Sequence, residues 1–123
     1  MLDVLIVEPD PIIALDISDA VRAADPAARV RMAEVVEEAT RHCKPGERLT
    51  HAFVRTLSTS EQQAAAGLVA CLARSGTSVV LLGAESVPRS PLLPGLVACL
   101  PFPFSWHQVA DHLITEPHRP SAA

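Results

Sequence analysis

The chain has 123 residues, near the commonest size for one domain, and its 49% hydrophobic and 20% charged composition is that of a globular protein, which excludes a disordered chain. Ten Lys and Arg against 14 Asp and Glu give a formal charge of -4, and no stretch gathers basic residues into a phosphate-neutralising stripe, so no direct nucleic-acid binding is expected. No run approaches the ~20 apolar residues of a membrane helix, no signal peptide is recognisable, and Cys43, Cys71 and Cys99 are scattered as reduced thiols would be, so no membrane association and a cytoplasmic location are expected.

Asp3-Val4-Leu5-Ile6-Val7 is a short apolar run rich in β-branched residues, the pattern of a strand buried on both faces. Glu8-Pro9-Asp10-Pro11 follows, and Ile12, Ile13, Leu15, Ile17, Val21 and Ala24 then fall near helical spacing until Asp25-Pro26. Residues 28 to 33 read as a second strand, with Arg29 and Arg31 on one face marking an edge position. Val35 to Cys43 reads as a short helix closed by Lys44-Pro45-Gly46, and His51 to Thr56 as a third strand. A long helix is expected from about Ser60 to Arg74, opened by capping-box spacing at Thr59 and Gln62 or at Ser60 and Gln63. Ser78 to Gly83 is the clearest buried strand, placed mid-sheet. Pro88, Pro91, Pro94 and Gly95 make residues 86 to 96 short or irregular. Leu96 to Leu100 gives a fifth strand, and Ser105 with Gln108 opens a last helix through Val109, Leu113 and Ile114. One domain over residues 1 to 116 and a disordered tail over 117 to 123 are expected.

Strands alternating with helical segments imply an open parallel sheet covered on both faces. A site then belongs at the carboxyl ends of the strands, in the loops after Val7, Thr56, Gly83 and Leu100.

The run from Val4 through Glu8-Pro9-Asp10-Pro11 to Asp16 resembles the start of bacterial response-regulator receiver domains, in which a strand enters an acidic cluster and a helix follows. Leu100-Pro101-Phe102 resembles that family's lysine-proline-phenylalanine turn, with Ser105-Trp106 opening the next helix. The resemblance implies a flavodoxin-like (CheY-like) α/β fold: a doubly wound five-stranded parallel sheet, order 2-1-3-4-5, in three layers. It also implies a site that accepts a phosphoryl group on an aspartate beside Mg²⁺, with a lysine and a hydroxyl completing the neutralisation.

Position by position, that site is degenerate. Glu8 keeps one acid of the metal-binding pair, Pro9 replaces the other, and Asp10 stands one place further on. The acceptor position falls on Arg55 or Thr56, and no Asp or Glu occurs between Glu47 and Glu61. Gly83 takes the place of the hydroxyl residue and Leu100 that of the lysine before Pro101. Arg55 is expected either to pair with Glu8 or Asp10, in place of the metal, or to be solvated at a strand end.

Other chemistry finds little support. His107 and His112 are five apart on one helix, where facing ligands need three or four, and His42, His51 and His118 lie in separate segments, so no metal site or cofactor is expected. No C-x-x-C pair, nucleophile elbow or P-loop is present, and no enzyme is expected. Leu92, Leu93, Leu96, Phe102, Phe104 and Trp106 make an apolar region around the last strand. In receivers the helix-strand-helix face there binds partners, and an interface is expected, although core packing would absorb part of it. The expected function is thus a stand-alone atypical receiver, working without phosphorylation as an interaction module in bacterial signalling. Its partner would be a histidine kinase, another regulator or a second copy in a homodimer. Two alternatives stand beside it: a phosphoaccepting receiver in a two-component phosphorelay, and a small-ligand-binding flavodoxin-like protein.

Overall fold

The computed structural model describes residues 1–41, 43, 48–56, 59–83 and 97–114. Five parallel strands, β1 (Asp3–Val7), β2 (Arg29–Ala33), β3 (His51–Arg55), β4 (Ser78–Leu82) and β5 (Val97–Leu100), form one sheet in the order β2-β1-β3-β4-β5. Helices α1 (Pro11–Ala24), α2 (Val36–Thr40), α3 (Thr59–Arg74) and α4 (Trp106–Ile114) accompany them. This is the flavodoxin-like arrangement expected from the sequence, with Arg-bearing β2 at an edge and apolar β4 in the interior.

The alternation of side chains along each strand divides the core in two. Val4, Ile6, Phe53, Val80, Leu82 and Leu100 face α1 and α4, where they meet Ile17, Val21, Val109 and Leu113. Leu5, Val7, Ala52, Val54, Val79 and Leu81 face the opposite layer and meet Ala39 of α2 and Leu68, Val69 and Leu72 of α3. Three layers result, with the central strands buried on both sides.

Local sequence sets the helix ends. Asp10 caps α1 by accepting the Ile12 amide at 2.9 Å, and Pro11 sits at the first turn, where its missing N–H is harmless. At the other end Asp25 is extended (φ -145°), as a residue before proline prefers. Its carboxylate accepts the Leu2 amide at 2.7 Å and the Ala27 amide at 3.0 Å, which tie the end of α1 to the start of β1 and hold the Asp25 carboxyl below its ordinary pKa. Before α4, the Ser105 amide donates to Gln108 Oε1 at 2.8 Å and the Gln108 amide to Ser105 Oγ at 3.4 Å, the reciprocal box expected from the spacing.

Strand ends differ from expectation by one residue, as at β2, β3, β4 and β5, and α2 differs by more. Helix α2 is only five residues, Val36–Thr40, because Val35 gives its start no side-chain cap and Ala39 is its one buried side chain. Thr56 lies beyond β3, although its amide still donates to the Leu82 carbonyl at 2.9 Å. The expected Lys44-Pro45-Gly46 stop, the irregular segment 86 to 96 and the tail 117 to 123 lie outside the described residues, as do the side chains of Thr59, Ser60 and Gln62 from the capping pairs expected for α3. Among the described residues no helix is long and apolar enough to cross a membrane.

Candidate functional site

The parallel register of β1 and β3 pairs Val7 with Val54, so Glu8, just past β1, and Arg55, the last residue of β3, stand side by side. Both share strand parity with Ile6 and Phe53, the residues facing α1 and α4. Arg55 Nη1 donates to Glu8 Oε1 at 2.5 Å. The Glu8 side chain is fully buried, while 21% of the Arg55 side chain reaches solvent. The pair therefore sits at the carboxyl ends of the central strands, with its anion inside and its cation at the mouth.

The remaining candidates divide around that pair. Asp10 caps α1, which leaves Glu8 as the acid that meets Arg55. Pro9 is exposed and offers no side-chain ligand. Thr56 is buried, and its hydroxyl has no hydrogen-bond partner among the described residues; the same holds for Arg55 Nε. Gly83 donates its amide to the Leu100 carbonyl at 2.8 Å and has φ +83°, a left-handed conformation that a hydroxyl side chain at this position would adopt only with strain.

Leu100 is not part of the site. Its side chain is buried in the core facing α1 and α4, and Pro101 beside it is exposed. Phe102 stands at the site instead, its ring 5.4 Å from Arg55 Cζ and 5.1 Å, centroid to centroid, from the Phe104 ring. The arginine is thus held by a carboxylate on one side and by the negative face of an aromatic ring on another. Strand parity carries the signal for Phe102: β5 pairs Leu100 with Leu82 on the face shared with Arg55, and Phe102 lies two residues further along.

The donors present do not fit a divalent ion. The carboxylate nearest the expected metal position already faces a guanidinium, the adjacent residue is proline, and no aspartate stands at the end of β3. Among the described residues no group of three or more His, Cys, Asp or Glu converges. Phe102 and Phe104, expected at an interface, are half-buried against the core, whereas Trp106 is 59% exposed. Leu92, Leu93 and Leu96 lie outside the described residues.

At the opposite end of the sheet, His51 is buried at the start of β3 with Nδ1 3.0 Å from Thr50 Oγ1. Burial, with the His112 imidazole adding to it, pushes His51 below the ordinary 6.5. Burial likewise lowers His112, and the Asp111 charge opposes that shift in part.

No family model matches the chain, and no curated protein does. Solved structures with the same fold do. A response regulator from Thermotoga maritima superposes with a TM-score of 0.66 at 17% identity, covering 92% of this chain and 94% of that one. A response regulator protein from Burkholderia pseudomallei, with a phosphorylated aspartic acid, calcium ion and citrate, gives 0.66 at 16% identity over 94% of this chain and 68% of that one. The pilus assembly protein CpaE from Caulobacter crescentus CB15 gives 0.62 at 20% identity over 92% and 97%. At these identities the likeness is one of fold, and the fold is that of response-regulator receivers.

Proposed function

We propose that this protein is an atypical receiver-type module of bacterial signal transduction that acts in the cytoplasm by protein contact, without phosphorylation and without catalysis. The observation that carries this reading is the buried Glu8 carboxylate held by Arg55 at the carboxyl ends of β1 and β3. A fixed guanidinium there supplies the positive charge that a phosphoaccepting site takes from a metal ion, and no carboxylate stands at the end of β3, where Arg55 and Thr56 lie, to receive a phosphoryl group. The Burkholderia pseudomallei neighbour carries a phosphorylated aspartic acid and a calcium ion; this chain has no Asp or Glu between Glu47 and Glu61. The partner is a signalling protein, a histidine kinase or another regulator, or a second copy joined through the last helix-strand-helix face.

Incubation of the purified protein with Mg²⁺ and acetyl phosphate, followed by intact mass measurement, tests this reading. The expected result is an unchanged mass. A stoichiometric phosphoryl adduct would overturn the proposal, and peptide mapping would then identify the accepting residue.

A further inference from the structure

A cavity of about 210 Å³ lies where β1, β2 and β3 end, at the point where the strand order reverses between β1 and β3. Its apolar walls are Val7, the last residue of β1, Pro9 just beyond it, and Val35 and Val36 after β2; its charged groups are Glu34, Glu37 and Arg55. The volume is below the ~300–1,000 Å³ of sites for drug-sized ligands, which suits a small metabolite and not a nucleotide. Val35 makes the cavity more than a gap between elements. It occupies the N-cap of α2, where Ser, Thr, Asn or Asp would satisfy a free amide, yet it makes no cap bond and is 51% exposed. The valine gives a five-residue helix no local support, and what it does provide is an apolar wall of the cavity.

The charged groups have opposite signs and capacity to spare. Arg55 gives Nη1 to Glu8, while its buried Nε meets no acceptor among the described residues. A guanidinium with N–H groups left over is a receptor for a carboxylate. Glu34 and Glu37 are exposed, and neither carboxylate has an ion pair or hydrogen bond among the described residues, whereas Glu38 is turned onto the Glu34 amide at 3.2 Å. We propose that this cavity binds a small aliphatic α-amino acid. Its carboxylate lies on Arg55, its ammonium meets Glu34 and Glu37, and its side chain packs on the valines and Pro9. A simple anion would face two glutamates and a simple cation would face Arg55, so a zwitterion is the charge pattern that complements the whole cavity. The inference rests on the reading that Glu8 fixes Arg55 in place of a metal, and it gives such a module an input other than phosphate.

The amide NMR spectrum of the full-length protein is followed during titration with L-leucine, with isocaproate, which lacks the ammonium, and with isoamylamine, which lacks the carboxylate. Leucine is expected to shift the Val7, Glu34, Val36 and Arg55 amides saturably, and each single-ended analogue to bind about tenfold more weakly or worse. Glu34→Gln with Glu37→Gln is expected to bring leucine down to the affinity of isocaproate. Asp16→Asn with Asp19→Asn changes net charge equally at two exposed acids of α1 outside the cavity, and is expected to leave leucine affinity unchanged. Val35→Ser is expected to steady α2 by capping it and yet to weaken leucine binding, an opposition that a merely structural valine does not produce. The proposal is overturned by the absence of a saturable response to leucine, by equal binding of leucine and either analogue, by equal weakening from the two acid pairs, or by full leucine affinity in Val35→Ser. An unchanged mass with acetyl phosphate alongside no response to leucine overturns this inference and keeps the reading of the Glu8–Arg55 pair; a phosphoryl adduct overturns that reading even where leucine binds.

Discussion

The two ends of the sheet use polar side chains differently. Where the strands begin, side chains bind backbone. The Asp3 amide donates to Thr50 Oγ1 at 3.0 Å, the Thr50 hydroxyl donates back to the Asp3 carbonyl at 3.0 Å, and the Thr77 hydroxyl donates to the Leu49 carbonyl at 2.8 Å. Arg31 adds an ion pair to Asp3 at 3.3 Å, linking the edge strand to β1. Where the strands end, Glu8 and Arg55 bind each other. The first arrangement satisfies main-chain groups that would otherwise be stranded at strand starts. The second places two opposite charges in a low-dielectric site, where the desolvation of each offsets much of their attraction. The beginning of the sheet thus secures the backbone with side chains, and its end joins two charged side chains to each other.

The largest expected effect comes from removing one half of that pair. Arg55→Ala leaves the Glu8 carboxylate buried against apolar surroundings, and loss of a partner from a buried pair costs about 3–5 kcal/mol, with the lower end expected because Arg55 is partly solvated. Urea denaturation measures it. The double variant Glu8→Gln with Arg55→Met should recover most of the loss; if it is as unstable as Arg55→Ala, packing rather than charge holds this end together.

At the other end, Thr77→Val keeps the shape of the side chain but strands the Leu49 carbonyl, for an expected loss of about 1–3 kcal/mol in the same assay. A smaller loss than at Arg55 sharpens the contrast, and a larger one reverses it.

The histidines supply a pH dependence that belongs to the beginning of the sheet. Because the folded-state pKa of His51 and His112 lies below 6.5, the unfolded chain takes up protons first as pH falls. Stability is therefore fully present above about pH 6.5 and is lost as pH drops toward the folded values, where both states carry the proton. Urea midpoints at about pH 7.5 and about pH 5.5 should separate in wild type, and the gap should narrow in His51→Leu, with the share due to His112 remaining. Equal separation in both would remove His51 from the account.

The smallest effect is local. Asp10→Ala removes the cap of α1 and should lower stability by about 1 kcal/mol without disturbing the pair, because Asp10 bonds Ile12 and the Arg55 partner is Glu8. Amide hydrogen exchange over residues 11 to 14 should quicken while Arg55 side-chain resonances stay in place.

The fold was legible because Val4–Val7 of β1 and Val79–Leu82 of β4 are unbroken aliphatic runs and because Asp10-Pro11, Asp25-Pro26 and Ser105 with Gln108 punctuate the helices. The pairing of Arg55 with one of two acids was legible from charge alone, but the choice of Glu8 needed the β1 and β3 register and the engagement of Asp10 as a cap. Leu100 was misplaced at the site for a similar reason. A motif match counts residues, whereas the face on which a side chain lies depends on where the strand stops alternating, and Phe102 is the residue that reaches Arg55.

The central claim, that Arg55 and Glu8 close the end of the sheet to phosphoryl chemistry, meets its most direct test in the amide NMR spectrum of the full-length protein titrated with Mg²⁺ and beryllium fluoride. The amides of Glu8, Asp10, Arg55, Thr56 and Gly83 are expected to stay where they are throughout. Saturable shifts of those amides would show a site that accepts a metal and a phosphoryl mimic, and would contradict it.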